Sequence, residues 1–340
     1  MTILGLRLPV FCLFFLGFPL IWLLWIGVYS FQPGPLPQES TIDVVIPDHS
    51  SISEIEHLLT EKKVVRDNRR FSMLVMLTGA AKKLRAGEYR FRGGGRPLEI
   101  INRLRKGRVL YRPVTIPEGT DTGKIADILA SEGWINRTRF IELAHDAQFM
   151  HQLGVSADSL EGYLFPDTYY LSRGQQDEKK ILKMMVARHF EVYDQLEAGA
   201  DYQDHGLSHH EIITLASIVE KETGLEDERP LVASVFLNRL KKGMRLQADP
   251  TLLYRRSDFS GPLRQSELAN HTPYNTYIIK GLPPGPITNP GRAAIRAVIA
   301  PAHTDYLYFV LKDDNTHHFS KTLEEHNRAV AKYRRGKPVQ

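Results

Sequence analysis

Apolar residues occur along this chain in three patterns: one unbroken run, two strand-to-helix transitions, and amphipathic helices separated by turn residues. From Leu8 to Phe31 there is no charged residue, and Leu, Phe and Trp dominate. The run exceeds the roughly 20 residues a helix needs to cross a bilayer, and Pro9 and Pro19 kink such a helix without excluding it. The pattern therefore predicts a transmembrane helix over 8–31. Arg7 precedes it, and Glu39 and Asp43 are the first charges beyond it. By the positive-inside rule residues 1–7 stay in the cytoplasm and the bulk of the chain lies outside. Ser30-Phe31-Gln32-Pro33 is a poor cleavage site, which favours an uncleaved anchor over a secretory signal. Pro33, Gly34, Pro35 and Pro37 mark 32–42 as a stiff, extended linker.

The chain then repeats itself. Ile46-Pro47-Asp48 with Ile55, Leu58, Leu59, Val64 and Val65 aligns without gaps on Ile116-Pro117-Glu118 with Ile125, Ile128, Leu129, Trp134 and Ile135, at an offset of 70 residues. Apolar positions change from strand spacing before each proline to helical spacing after it, so two strand-then-helix units are expected. The first continues with a short strand at Gly87-Glu88-Tyr89-Arg90-Phe91, a turn at Gly93-Gly94-Gly95, and a helix opened by Pro97 that carries Ile100, Ile101 and Leu104. This reads as a small βααβ module over 43–112. Its basic residues, from Arg69 to Arg108, form either an anion-facing patch or a solvated surface.

Residues 113–340 read as a larger α+β domain. Ser208-His209-His210-Glu211 fits a capping box, and Gly224 is placed to end the helix it opens. The following helix has Pro230 in its first turn, Glu226, Asp227 and Glu228 near its positive end, Lys241 and Lys242 near its negative end, and Gly243 as its stop. Leu246 to Gly291 is rich in loop residues. Tyr306 to Val310 and His317 to Ser320 flank Asp313-Asp314-Asn315 as a hairpin, and a last helix starts near Thr322.

Composition narrows the function. A chain of 340 residues, 42% hydrophobic and 24% charged, has room for about two domains and is not disordered, collagenous or a coiled coil. Its net charge of +5 suits an acidic partner. With the bulk outside a membrane, nucleic acid is not the expected partner and cell-envelope polymers come forward. Cys12 is the only cysteine, so an intramolecular disulfide or a cysteine zinc site is out of reach. His209-His210 and His317-His318 are adjacent pairs without the same-face spacing of metal ligands and read as exposed; no metal or cofactor is expected.

Acidic residues then carry the candidate chemistry. Residues turn by about 100° along a helix, so Ile212, Ile213, Leu215, Ala216, Ile218 and Val219 share a broad apolar arc that also receives Glu220. Lys221 points to the polar side, and Glu222 lies at the arc's other margin. A carboxyl on an apolar face loses hydration when ionised, which suits a general acid; equally, Glu220 pairs with an arginine such as Arg229 or Arg239. Glu161 and Asp167 lie among aromatics in Glu161-Gly162-Tyr163-Leu164-Phe165-Pro166-Asp167-Thr168-Tyr169, a setting for sugar binding or for a capped domain junction. Gln247, Asp249, Tyr274, Asn275, Thr276, Tyr277 and Asn289 cluster on loops, either lining a groove or making turns.

Several long motifs in one order then resemble a known family. These are Ala216-Ser217-Ile218-Val219-Glu220-Lys221-Glu222-Thr223, Val232 to Leu240, Met244 to Thr251, Tyr274-Asn275-Thr276-Tyr277 and Gly281 to Ile287. They resemble the YceG-like family, also called MltG, of membrane-bound endolytic murein transglycosylases, and the resemblance covers nearly the whole chain. It implies that Glu220 matches the catalytic glutamate and that the module over 43–112 is a LysM-like peptidoglycan-binding domain. It also implies a catalytic domain over 113–340 on the periplasmic side of the inner membrane, with Glu161, Glu222, Gln247, Asp249, Tyr274, Asn275, Thr276 and Tyr277 as substrate-binding candidates. Peptidoglycan strands are the implied partner, wall-synthesis enzymes are candidate partners, and no cofactor is implied. One carboxyl can act as acid and then base, so the usual glycosidase pair is not required. A muramidase that uses water and a non-catalytic envelope-binding scaffold are the alternatives.

Overall fold

The computed structural model describes residues 10–66, 69–174, 177–199, 202–254 and 265–333, with side chains described from Ile21 onward except at 265 and 266. The chain divides into two units, one of residues 1–113 and 170–176 and one of residues 114–169 and 177–340.

In the first unit, α1 (Val10–Phe31) precedes β1 (Thr41–Ile46), α2 (Ile52–Glu61), α3 (Arg70–Leu77), β2 (Gly87–Arg92) and α4 (Pro97–Lys106). The expected βααβ order is therefore present. β1 and β2 pair antiparallel, from Thr41 opposite Arg92 to Ile46 opposite Gly87. On their outer face the facing pair Asp43 and Arg90 forms two 2.8 Å hydrogen bonds. Their inner residues Val44, Ile46, Tyr89 and Phe91 join Leu59, Phe71 and Leu104 in one core.

Among the described residues no helix is long and apolar enough to cross a membrane. The expected span over 8–31 begins in residues outside the description, and the side chains of 10–20 lie outside it too. The last turns of α1 belong to the unit's core: Ile26 and Tyr29 are buried there, and the Arg70 guanidinium sits 4.6 Å from the Trp25 ring centre and 4.9 Å from that of Tyr29. The stretch 32–42, read as a stiff, extended linker, makes backbone contacts with the module. Gly34 N–H donates to Gly95 O at 3.0 Å, Gly93 N–H donates to Ser40 O at 2.8 Å, and β1 has begun by Thr41. A side chain at Gly34 or Gly93 would strike the backbone of Val64 or Pro37; these glycines let the stretch lie down on the module.

The sequence repeat is also a structural one. β3 (Arg112–Thr115), α5 (Thr122–Ser131), α6 (Arg137–Ala144), α7 (Ala147–Gln152) and β4 (Thr168–Leu171) give the first copy's order with one helix added before the last strand, and β3 pairs with β4. Ser51 and Asp121, 70 residues apart, both cap a helix by accepting the amide of the residue three further on, Glu54 and Lys124. Ile55 and Ile125, Leu59 and Leu129, and Val64 and Trp134 are all buried. Left-handed backbone recurs at matched positions too, at His49 and Gly119 and at Lys63 and Gly133.

The second unit continues with α8 (Glu178–Glu197), α9 (His209–Glu222), α10 (Arg229–Lys241), the short α11 (Pro250–Leu253) and α12 (Gln265–Leu268), α13 (Arg292–Ile299), the antiparallel hairpin β5 (Tyr308–Leu311) and β6 (His317–Ser320), and α14 (Leu323–Tyr333). The Ser208–Glu211 capping box forms as expected. Residues Ile212 to Val219 are all buried, Thr214 and Ser217 included, so α9 is enclosed by α10, α13 and their loops and does not present a single apolar arc. Its small polar residues are satisfied locally: Ser217 Oγ donates to Thr214 O at 2.7 Å and accepts the Ile287 amide at 3.0 Å. The helix ends in extended backbone at Thr223, one residue before Gly224.

Of the histidines read as exposed, His318 is exposed, whereas His209, His210 and His317 are partly buried. His189 is fully buried and its Nε2 lies 3.0 Å from His209 Nε2, while His210 Nδ1 lies 2.9 Å from Tyr163 Oη and its Nε2 2.9 Å from Pro284 O. Burial, and then the neighbouring histidine, push His189 down to about 3. His317 is drawn inward by Glu228, whose carboxylate accepts from its backbone amide at 2.6 Å.

Candidate active site

At its C-terminal end α9 delivers Glu220 from the buried core to a polar edge. Glu220 Oε1 accepts a 2.9 Å hydrogen bond from Arg229 Nη2, and Oε2 accepts one of 2.8 Å from the Gly291 amide. Its side chain is 5% exposed and that of Arg229 10%. Arg229 opens α10 and Gly291 caps α13, so the carboxylate is held by a guanidinium from one neighbouring helix and by the amide at the positive end of another. The pairing with Arg229, one of the two readings open from sequence, is thus realised, and it occurs within a constructed site and not on a frayed helix end.

The loop that presents Gly291 is itself braced. Asn289 is fully buried; its Nδ2 donates to Thr120 O at 2.9 Å and to Glu161 Oε1 at 3.0 Å, and its Oδ1 accepts the Leu164 amide at 2.9 Å. Glu161 also accepts the Thr122 amide, at 3.1 Å to Oε1 and 3.3 Å to Oε2, at the start of α5. At 6% exposure its carboxylate is turned inward on these donors. Glu161 thus forms a strut between the second repeat and the loop before α13. Asp167, its neighbour in the same motif, pairs with Arg188 at 2.8 Å.

Glu222 leaves α9 about 200° round from Glu220 and enters a different cluster. Burial, and then the Asp249 charge, push its carboxyl up to about 8, against the opposing pull of Arg239. Tyr277 donates its hydroxyl to Asp249 Oδ1. Arg239 is spent on carbonyls, Nε to Leu307 O at 2.7 Å and Nη1 to Leu246 O at 2.6 Å. A folded-state value above the unfolded 4.5 means that stability is lost as pH rises from about 4.5 through about 8. Glu222→Gln cannot ionise, so it is expected to be more stable than the parent at pH 8 and close to it at pH 5, the difference changing by at most about 1.4 kcal/mol per pH unit. Urea midpoints at the two pH values measure this.

The loop candidates separate into inner and outer groups. Asn275 and Thr276 are fully buried. Asn275 Nδ2 donates to Leu268 O at 3.0 Å and Asn270 O at 2.7 Å, and Thr276 Oγ1 accepts the Ala248 amide at 2.9 Å. Both side chains are engaged in shaping the loop. Gln247 is exposed between buried Leu246 and Ala248 and holds a left-handed backbone with φ of 49°, an uncommon state for a side-chain-bearing residue. Tyr274 is half-buried against Tyr254, with ring centres 4.7 Å apart.

Glu118 is the residue that sequence reasoning did not single out. Its side chain is 47% exposed and one oxygen lies 3.9 Å from the same Arg229 Nη2 that binds Glu220. Burial, and then the Glu220 charge, raise its carboxyl above the ordinary range. The repeat contained a signal, because Glu118 stands where the first copy has Asp48, beside the left-handed Gly119.

On an α+β domain, then, one carboxylate is fixed at a helix end by an arginine and an amide, with a second carboxylate beside it. The YceG-like family model matches residues 44–332, and the chain belongs to that family. An endolytic murein transglycosylase of Bacillus subtilis is 34% identical over 325 residues, covering 90% of this chain and 89% of its own length. One from Streptococcus pneumoniae is 28% identical over 338 residues, covering 89% of this chain; the chain spans 60% of that relative's length. A crystal structure of a yceG-like protein from Listeria monocytogenes aligns with a TM-score of 0.56 at 33% identity, covering 86% of this chain and 99% of the other.

Proposed function

We propose that this protein is an endolytic peptidoglycan lytic transglycosylase that cuts the β-1,4 bond between N-acetylmuramic acid and N-acetylglucosamine inside glycan strands. The observation that carries the reading is Glu220, a single carboxylate brought out of an apolar core and oriented by Arg229 and the Gly291 amide. Family membership and the names of the relatives support the same substrate. In the protonated state Glu220 gives its proton to the leaving glycosidic oxygen. As carboxylate it then takes the proton of the muramyl 6-hydroxyl while that oxygen closes on C1, leaving a 1,6-anhydromuramyl end. Gln247, Asp249, Tyr274 and Tyr277 are the substrate contacts this reading favours. The sugar N-acetyl group is available to assist at C1.

The charge-free run over 8–31 supports an uncleaved anchor, with residues 1–7 in the cytoplasm and the catalytic unit in the periplasm. The first unit would act as a LysM-like peptidoglycan-binding module, and wall-synthesis enzymes remain candidate partners. Mass spectrometry of peptidoglycan digested by the full chain in detergent tests the reaction: anhydromuramyl ends are expected. A water-using muramidase draws support from Glu118 beside Glu220, and it would leave reducing ends. No cleavage at all would favour a binding scaffold.

A further inference from the structure

The second copy of the repeat brings Glu118 to Glu220 by backbone contacts. Gly119 N–H donates to Asn289 O at 3.0 Å, and Asn289 N–H donates to Thr120 O at 3.2 Å, so the turn holding Glu118 is tied to the loop that ends at Gly291. Two glycines then make room for two carboxylates. A Cβ on Gly119, whose φ is 71°, would meet Glu220 Cγ at 3.4 Å, and a Cβ on Gly291 would collide with the Glu118 carboxylate. Both acids reach one nitrogen, Arg229 Nη2, at 2.9 Å for Glu220 and 3.9 Å for Glu118. Arg229 Nε is buried with no hydrogen-bond partner among the described residues, so no bond at that atom ties the guanidinium to one side.

We propose that Glu118 is a positioning residue: it takes the Arg229 guanidinium whenever Glu220 carries the proton, and so leaves Glu220 free to act as the acid. The inference rests on Glu220 being the acid/base. In the reactive form the one shared proton is on Glu220, with Glu118 as carboxylate and Arg229 as cation. When the glycosidic C–O bond breaks, the Glu220 proton goes to the departing oxygen and Arg229 moves to the new Glu220 carboxylate. When the 6-hydroxyl oxygen bonds C1, its proton goes to Glu220 and Arg229 returns to Glu118. Protons and charge balance over the cycle. A carboxylate next to Glu220 opposes its ionisation, and a guanidinium left with Glu220 alone would favour it. The other charges nearby are Lys221, alongside Gly119, and Glu226, whose charge acts on Glu118.

The test is the pH–rate profile of the full chain on peptidoglycan, for the parent, Glu118→Gln, Glu118→Asp and Glu220→Gln. In Glu118→Gln, Arg229 has only Glu220 to pair with, so the alkaline limb of kcat should move down by about one pH unit. Turnover should then fall about tenfold on the alkaline side of the profile and change less than about twofold on its acid plateau. KM should be unchanged, and Glu118→Asp should restore most of the parent profile. An unmoved profile would overturn the proposal, as would a loss uniform in pH with a raised KM, or loss of the folded state in the glutamine variant, which would make Glu118 structural. Turnover by Glu220→Gln would instead overturn the acid/base reading beneath it.

Discussion

Glu220→Gln should reduce glycan cleavage by on the order of 10³-fold or more while leaving a folded protein, because one group serves as acid in the first step and base in the second. The substitution keeps shape and removes the proton. Its amide oxygen can accept from Gly291 N–H or from Arg229, and its amide N–H2 then faces the other donor, so one of the two contacts at 2.8 and 2.9 Å is lost. That cost is about 1–3 kcal/mol, small beside the stability of a domain with this core. Arg229 retains Glu118 as a partner. Thermal melting should therefore show a cooperative transition a few degrees below that of the parent, with no anhydromuramyl product by mass spectrometry. A variant that cleaves at the parent rate would remove Glu220 from the chemistry.

Much of the frame was legible in the sequence because it depends on local rules. Helix caps, Pro97 and Pro230 at helix starts, Gly243 at a helix end and the β5–β6 hairpin each follow from a few neighbouring residues. The repeat extended that reach, since shared burial at Ile55 and Ile125 reflects one spacing used twice. What was not legible depends on which loops meet. Glu161 and Asn289, 128 residues apart, look like a sugar contact and a turn until one is seen to accept from the other. Glu118 needs Gly291, far along the chain, to be small. The linker prolines suggest extension, and only Gly34 and Gly93 together show that the backbone lies against the module.

The position of Glu161 leads to the second large effect, on stability. Glu161→Ala leaves the Thr122 amide and one of the two N–H groups of Asn289 Nδ2 without an acceptor in a buried place, the other keeping Thr120 O. Each stranded donor costs about 1–3 kcal/mol, and together they should lower Tm by on the order of 10 °C. Glu161→Gln keeps an acceptor and the volume, so a smaller fall is expected. Asn289 also accepts the Leu164 amide and meets Thr120, which leaves the loop before α13 attached but looser. Gly291, two residues on, holds Glu220 through its amide. The loss should therefore appear in kcat, through a less fixed carboxylate, with KM changed by less than about twofold. A contact with the sugar would show the reverse, a raised KM at unchanged Tm, and that result would return Glu161 to the substrate groove.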